Sequence, residues 1–447
     1  MRVKYLPDRP VRTSAADLLS FEAAAKGALG HIAATEPPFT WGIFGDWGSG
    51  KTSLMRLIEQ QMEARLKDLP QDASIPLHIP VWFDAWRYEN EVNIVYPLFH
   101  AIRRDFEQRC KNAADSKSFF DSFKKVATAS LLGLTDLALR AATNKAFGEA
   151  VSLKEVGEHL KRAEDELQTV FDKWSDTIIE VQEDFERFVR AYIEIYCGQR
   201  PELEGRRVYL AIFIDDLDRC LPDVAITILE RVKNHLSVEN CLFVLGINRY
   251  VVYQSIRKKY QDLDIDGRQH LEKIIQYSMG VPEPKVADLA SFVVKSIEGL
   301  LTEAHDPDLT PYFDDFANAL YDCGFTNPRK IKRILNRYLS FLERHVTKAD
   351  LAKYQIPTVT RLIVMREYYH DLYQLFNEKG FQPFAQIKDY NGGEESAKKF
   401  VDQYGKKWQP LIASFERFKR FANMDGGRDI TEQEYDRSIR ELFGRED

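Results

Sequence analysis

Cysteine is scarce in this chain. Five occur in 447 residues (Cys110, Cys197, Cys220, Cys241 and Cys323), scattered and odd in number. No pair has the spacing of a metal site or a redox motif, which argues against a disulfide scaffold and for reduced thiols in a cytoplasmic protein. Long apolar runs are missing too: no stretch reaches the roughly 18 residues a membrane-spanning helix needs, so membrane contact is not expected. Positive charge is not in excess, because 62 Lys and Arg face 69 Asp and Glu for a formal net charge of -7. Bulk attraction to nucleic acid or an anionic membrane is therefore unsupported. The stretch from Met1 to Arg12 is charged and proline-punctuated, without the apolar centre of a signal peptide. Internal repeats and low-complexity tracts are absent. What the chain has in quantity is apolar material, 44% of its residues, and a length that suggests about two to four domains.

The ordered pattern begins at Gly45. Gly45-Asp46-Trp47-Gly48-Ser49-Gly50-Lys51-Thr52 fits the phosphate-binding loop G-x-x-x-x-G-K-[ST] without gap or substitution. Phe39 to Phe44 before it is a short, mostly apolar run, as expected of a buried strand. After it, Leu54, Leu57 and Ile58 share one helix face. The glycines allow a tight turn that brings backbone N–H groups up to phosphate oxygens, and the following helix adds its positive end. Lys51 would reach the β- and γ-phosphates and the Thr52 hydroxyl would bind Mg²⁺. Gly45, Asp46, Trp47, Gly48, Ser49, Gly50, Lys51, Thr52 and Ser53 are the candidate nucleotide-binding residues.

Val208 to Ile214 reads as a second strongly buried strand, ending in Asp215-Asp216-Leu217-Asp218-Arg219. An apolar strand closed by two carboxylates suits a Mg²⁺-nucleotide site: one acid holds the metal, the next positions or deprotonates the attacking water. Asp215 is assigned to the metal and Asp216 to the water. The strand Cys241 to Ile247 ends at Asn248-Arg249, where Asn248 could bond the γ-phosphate or the water. Pro76 to Asp84 forms another strand. The cluster Asp84 to Asn90 after it reads either as packing of tryptophan rings or as a polar group near the nucleotide. A fifth strand is expected near Ile275 to Val281. This order predicts a parallel α/β sheet in which the fourth strand lies between the phosphate-loop strand and the acidic one.

A helix is expected over about Ala15 to Ala33. Residues 91–205 read as a helical insertion. Val126 to Leu139 is its most apolar part and reads as a core helix or as a membrane-contacting segment; Leu160, Leu167, Val170, Phe171, Trp174, Ile178, Ile179 and Val181 then lie close to one stripe, as in a helical hairpin or coiled-coil-like arm. From Pro284 onward the pattern is helical. Thr326-Asn327-Pro328-Arg329 is a helix start, with Asn as cap and Pro in the first turn. Arg329, Arg333 and Arg337 line one face of that helix. The Gly392-Gly393 and Gly426-Gly427 pairs read as turns in a polar tail. The expected division is 1–90 and 206–283 for the two parts of the nucleotide-binding core, 91–205 for the insertion, 284–376 for a helical lid and 377–447 for the tail.

These residues resemble the KAP family of P-loop NTPases, which includes bacterial phage-exclusion proteins and an animal neuronal membrane scaffold. The resemblance rests on FGDWGSGKTSL from Phe44, FDAWRYENE from Phe83, IDDLDRC from Ile214 and NPRKIKRILNRY from Asn327, with HLEKIIQYSMGVPEP from His270 in support. It covers roughly residues 10–345 and not the C-terminal tail. It implies an additional-strand (ASCE) ATPase fold with a helical lid, acting on ATP. Family members commonly carry transmembrane helices between the two nucleotide motifs; here only the 126–139 stretch is apolar.

The expected activity is that of an ATP-hydrolysing switch or motor in bacterial defence against phage, acting on a separate protein effector, with ATP and Mg²⁺ bound. An ATP-binding scaffold or signalling protein and a DNA-stimulated ATPase using the Arg329 to Arg337 face are the alternatives. Self-association is expected, with an arginine neutralising the transferring phosphoryl group: Arg329 or Arg249 within the chain, or Arg219 across a subunit edge. Otherwise Arg219 pairs with Asp218 or Asp223.

Overall fold

The computed structural model describes residues 5–17, 19–90, 95–110, 181–260, 266–298, 327–344, 370–389 and 393–408, with isolated positions besides. The apolar stretch 126–139, the arm residues from Leu160 to Ile179, Thr326, Gly392 and the Gly426-Gly427 pair lie outside the described residues.

Five strands form one sheet: β1 (Phe39–Phe44), β2 (Leu77–Asp84), β3 (Val208–Asp215), β4 (Cys241–Ile247) and β5 (Tyr277–Gly280), in the order β2-β3-β4-β1-β5. All pairings are parallel. Parallel neighbours need crossover connections, and helices supply them. α1 (Phe21–Ala33) leads into β1, and α2 (Lys51–Lys67) follows it. α3 (Val95–Arg109) and α4 (residues 181–198) come between β2 and β3. α5 (Pro222–Asn234) follows β3, while α6 (Arg249–Lys259) and α7 (Gly267–Ile274) follow β4. Beyond β5 the described elements are helices: α8 (Val286–Glu298), α9 (Pro328–Arg344), α10 (His370–Lys379), α11 (Phe381–Lys388) and α12 (Glu394–Tyr404).

Strands buried on both faces read as near-continuous apolar runs, and β4 is buried at every position. Alternate residues feed opposite cores. Trp41, Ile43, Ala211, Phe213, Leu242 and Val244 join α1, α2 and the C-terminal helices in one cluster. Ile79, Val81, Ile212, Ile214, Phe243 and Leu245 join α3 to α7 in the other. β4 separates β1 from β3, as the chain order predicted. Two strand spacings, about 10 Å, then lie between the phosphate loop after β1 and the carboxylates after β3, with the tip of β4 in the gap.

The first helix starts later than its apolar pattern suggests. Only a short 3-10 turn forms at Ser14–Ala16. The Asp17 carboxylate accepts from the backbone N–H groups of Leu19 and Glu22, and Ser20 takes a left-handed conformation ahead of Phe21. An acid that satisfies the free amides of a helix start sets where the helix begins. The lid helix α9 begins as predicted: Asn327 Oδ1 accepts from Lys330 N at 3.3 Å, and Ile331, Ile334, Leu335, Tyr338 and Leu339 are buried. No described helix is long and apolar enough to cross a membrane.

Candidate nucleotide-binding site

The loop after β1 turns on glycines that no other residue could replace without strain. Gly48 and Gly50 have φ of +79° and +106°, a region costly for any side chain. Space is also closed to a Cβ. One on Gly50 would stand 2.4 Å from the Phe21 ring, and one on Gly48 would stand 2.6 Å from Arg329 Cβ. So α1 and the lid both pack against the loop backbone. Asn327 Nδ2 donates to Trp47 O at 2.7 Å, and Ser53 Oγ accepts from Val11 N. Trp47 itself is exposed, and the Ser49 hydroxyl is buried without a hydrogen bond.

Lys51 opens α2 and is buried. Its ammonium donates to Gly45 O at 2.8 Å and Asp46 O at 3.2 Å, and stands 3.1 Å from Asp218 Oδ2. Thr52 and Asp215 face each other across the gap, with the threonine hydroxyl close enough to lower the Asp215 carboxyl pKa. Asp215 is 3% exposed, and its Oδ1 is buried with no hydrogen-bond partner. Burial pushes its carboxyl pKa up, opposed by the Thr52 hydroxyl beside it. A hydroxyl and a buried carboxylate with an unused oxygen are the hard oxygen donors Mg²⁺ takes, so these residues fit the ion that the phosphate-loop pattern implies.

Asp216 is held at φ +58°, left-handed for a residue with a side chain. Such strain is typical of functional positions. Burial first, and then the Asp215 charge, push its carboxyl up to about 6, with the Arg219 guanidinium opposing. Arg219 Nε lies 2.9 Å from Asp216 Oδ1, and its guanidinium sits over the Trp86 ring at 5.2 Å. The partner of Arg219 is thus Asp216, neither Asp218 nor Asp223. Asn248 stands at the tip of β4. Its Oδ1 caps α6 by accepting from Val251 N, and its Nδ2 donates to Asp46 Oδ1 at 3.4 Å. Arg249 stacks on Phe44, 4.3 Å from the ring centre. Arg329 pairs with Asp8 at 2.6 Å. Arg333 and Arg337 both pair with Glu367, at 3.7 Å and 2.6 Å, so on the face proposed for DNA contact three arginines share two carboxylates, Asp8 and Glu367.

Two residues join the site that chain order alone did not assign. Asp84 ends β2 in register with Asp215, and its Oδ1 is buried without a partner. Asp218 is buried on the 3-10 turn after β3. The sign for the first was a strand ending in an acid, as in β3; for the second it was a third acid two residues past the pair. A cavity of about 920 Å³ opens beside the acids, lined by Thr52, Asp84, Asp215 and Asp216 together with Arg56 and Arg104. The ensemble offers backbone amides and an ammonium for phosphate, two oxygen donors for a cation, and a carboxyl titrating near neutrality for a water.

A family model described as the KAP family P-loop domain matches residues 26–344. The chain is similar to the phage T7 exclusion protein of Escherichia coli (strain K12), at 25% identity over 300 residues, which make up 66% of this chain and 37% of that protein. It therefore spans well under half the length of that relative. Among solved structures it shows a weak likeness to the Aeropyrum pernix ORC2 protein in its ADPNP–ADP complexes, with a TM-score of 0.37 and 12% identity over 98% of this chain and 94% of that one. The Aeropyrum pernix ORC1 protein in complex with DNA gives a TM-score of 0.39 and 14% identity over 98% and 85%. The family match spans the phosphate loop, the acidic strand end and the lid helix, and the strand order is that of a P-loop NTPase with the additional strand. The chain belongs to the KAP family of P-loop NTPases.

Proposed function

We propose that this chain binds ATP with Mg²⁺, hydrolyses it, and uses the cycle as a switch or motor acting on a protein effector. The observation that carries the reading is the meeting of Thr52 and Asp215 across the β1–β3 gap, with a buried carboxylate oxygen left unused and a second acid, Asp216, beside it. Lys51 and the loop amides hold the β- and γ-phosphates. Thr52 and Asp215 hold Mg²⁺, which supplies charge neutralisation on the phosphate oxygens when bound. Asp216 orients the attacking water and accepts its proton, a role for which a carboxyl near 6 is better suited than one at its ordinary value. Asn248, already bonded to Asp46, holds the loop and the water from the β4 side.

The effector reading is supported by exposed apolar side chains after successive strands. Trp47 follows β1, Trp86 follows β2, Leu221 follows β3 and Tyr250 follows β4, all exposed at the same end of the sheet. Such a rim suits a protein contact, with a second copy of the chain or with an effector. Similarity to a phage exclusion protein supports a role in defence against phage. The test is phosphate release from ATP by the purified chain, with Asp216→Asn as control, alongside phage plating on bacteria expressing either form. Hydrolysis equal in both forms removes the catalytic reading. Protection by both forms removes the coupling of hydrolysis to defence.

A further inference from the structure

The contact between Lys51 and Asp218 is not needed to build a phosphate loop. Asp218 comes from the turn after β3, and its side chain is 1% exposed. Its Oδ2 stands 3.1 Å from the ammonium, yet that oxygen makes no hydrogen bond. Lys51 meanwhile donates to the loop carbonyls of Gly45 and Asp46. An ammonium has three hydrogens. Two are committed to the loop itself, and the remaining capacity faces a carboxylate held by charge alone. That capacity is what a nucleotide phosphate would take. Phosphate and Asp218 are both anions seeking the same cation, and only one of them is fixed in place.

Building on the ATP-binding reading, we propose that Asp218 is a positioning residue that holds Lys51 when no nucleotide is bound and competes with the terminal phosphate for it, setting nucleotide affinity and speeding release. When phosphate draws Lys51 away, Asp218 is left as a buried carboxylate short of its counter-charge, a state that strongly opposes binding. When the phosphate departs, the ammonium returns to Asp218. The pair thus makes ATP bind less tightly than the loop alone would allow.

The test is Asp218→Asn, which keeps an oxygen for Lys51 and removes the charge. Calorimetric titration of Mg-ATP should give a Kd lower by about tenfold, or 1.4 kcal/mol, and steady-state hydrolysis should show KM and kcat falling together as release slows. An ion pair with a merely structural role would instead lower the melting temperature and leave affinity unchanged or weaker, and that result overturns the proposal. Should Asp218→Asn not fold, Asp218→Ser is measured the same way. Failure of both to fold shows that the charge holds the fold together, and also overturns it. If the unmodified chain binds no ATP, the ATP reading fails. If it binds ATP and Asp218→Asn binds no more tightly, the present proposal alone fails.

Discussion

Replacing Asp216 by asparagine is expected to silence the protein and stabilise it at the same time. The carboxyl is pushed from 3.8 up to about 6 in the folded chain, chiefly by burial. The sign follows from proton binding. Below pH 3.8 the group is protonated folded or unfolded and costs nothing. Between 3.8 and 6 the folded chain keeps a proton that the unfolded chain has lost, so stability falls as pH rises through that window. Above 6 the folded chain carries the charge and the whole cost is present. The shift corresponds to about 3 kcal/mol at pH 8 and about 1.6 kcal/mol at pH 5. The charges of Asp215, Asp84 and Asp218 share in that cost, so the amide recovers at most this much. The amide removes the titrating group, and its oxygen still accepts from Arg219. Thermal unfolding of both forms at pH 8 and pH 5 reads the effect. The variant should melt higher at pH 8, and its lead should shrink to about half at pH 5. ATP hydrolysis should fall by more than about tenfold, since an amide neither takes the proton nor orients water with full charge. A variant that melts lower at pH 8, or equally at both pH values, refutes the electrostatic argument; retained turnover refutes the role.

Other expectations follow from the same geometry. Lys51→Ala should abolish nucleotide binding in a folded protein, and unchanged affinity by calorimetry takes Lys51 out of the site. Asp84→Asn removes a like charge that helps raise Asp216, so the acid limb of the hydrolysis pH profile should move to lower pH; an unmoved limb disconnects Asp84 from the water. Gly48→Ala forces a side chain into a left-handed position, 2.6 Å from Arg329 Cβ, and should loosen the lid, seen as faster amide hydrogen exchange in α9; an unchanged rate argues against that packing. A mixture of Lys51→Ala and Arg219→Ala chains should stay inactive, because Arg219 serves Asp216 within its own chain; recovered activity places Arg219 across a subunit edge.

The strands and the loop were legible because their signals are local. A strand buried on both faces has to be apolar along its length, as β4 is and as β3 is up to Asp215, and a loop that wraps phosphate has to carry glycine where φ is positive, as at Gly48 and Gly50. The position of β4 followed from the order of the polar strand ends. Long-range pairing was not legible. Asp84 and Asp215 are far apart in the chain, and only the β2–β3 register aligns them. Asp218 was visible as a third acid, but a 3-10 turn decides that it, and not Arg219, faces Lys51. Phe21 gave no sign of its contact with Gly50, because an aromatic at a helix start packs equally well against many surfaces. Asp17 gave no sign of its capping role for a related reason: an acid inside an apolar pattern looks like an interruption until its carboxylate is seen to hold the amides of the next turn.

The partners of the three arginines order their candidacy for the transferring phosphoryl group. Each is engaged, so each must give something up. Arg249 would leave its stack on Phe44, a contact of about 0.5–2 kcal/mol, and would need to turn from the second core toward the loop. Arg219 would leave Asp216, and the loss would fall on the site itself: without the guanidinium that opposes the rise, the Asp216 carboxyl is pushed higher and is less available as a base. Arg329 gives up least. Its partner Asp8 is more than half exposed, and pairs so placed are worth about 0–1 kcal/mol. Its Cβ already lies against Gly48, and its backbone N–H donates to Gly48 O at 3.4 Å. A side chain rooted on the phosphate loop and held elsewhere by a weak pair is the least costly of the three to redirect to a new anion. A charge arriving on that loop would compete directly with Asp8, and so would couple nucleotide binding to the N-terminal segment that Asp8 and Val11 anchor against α9 and α2.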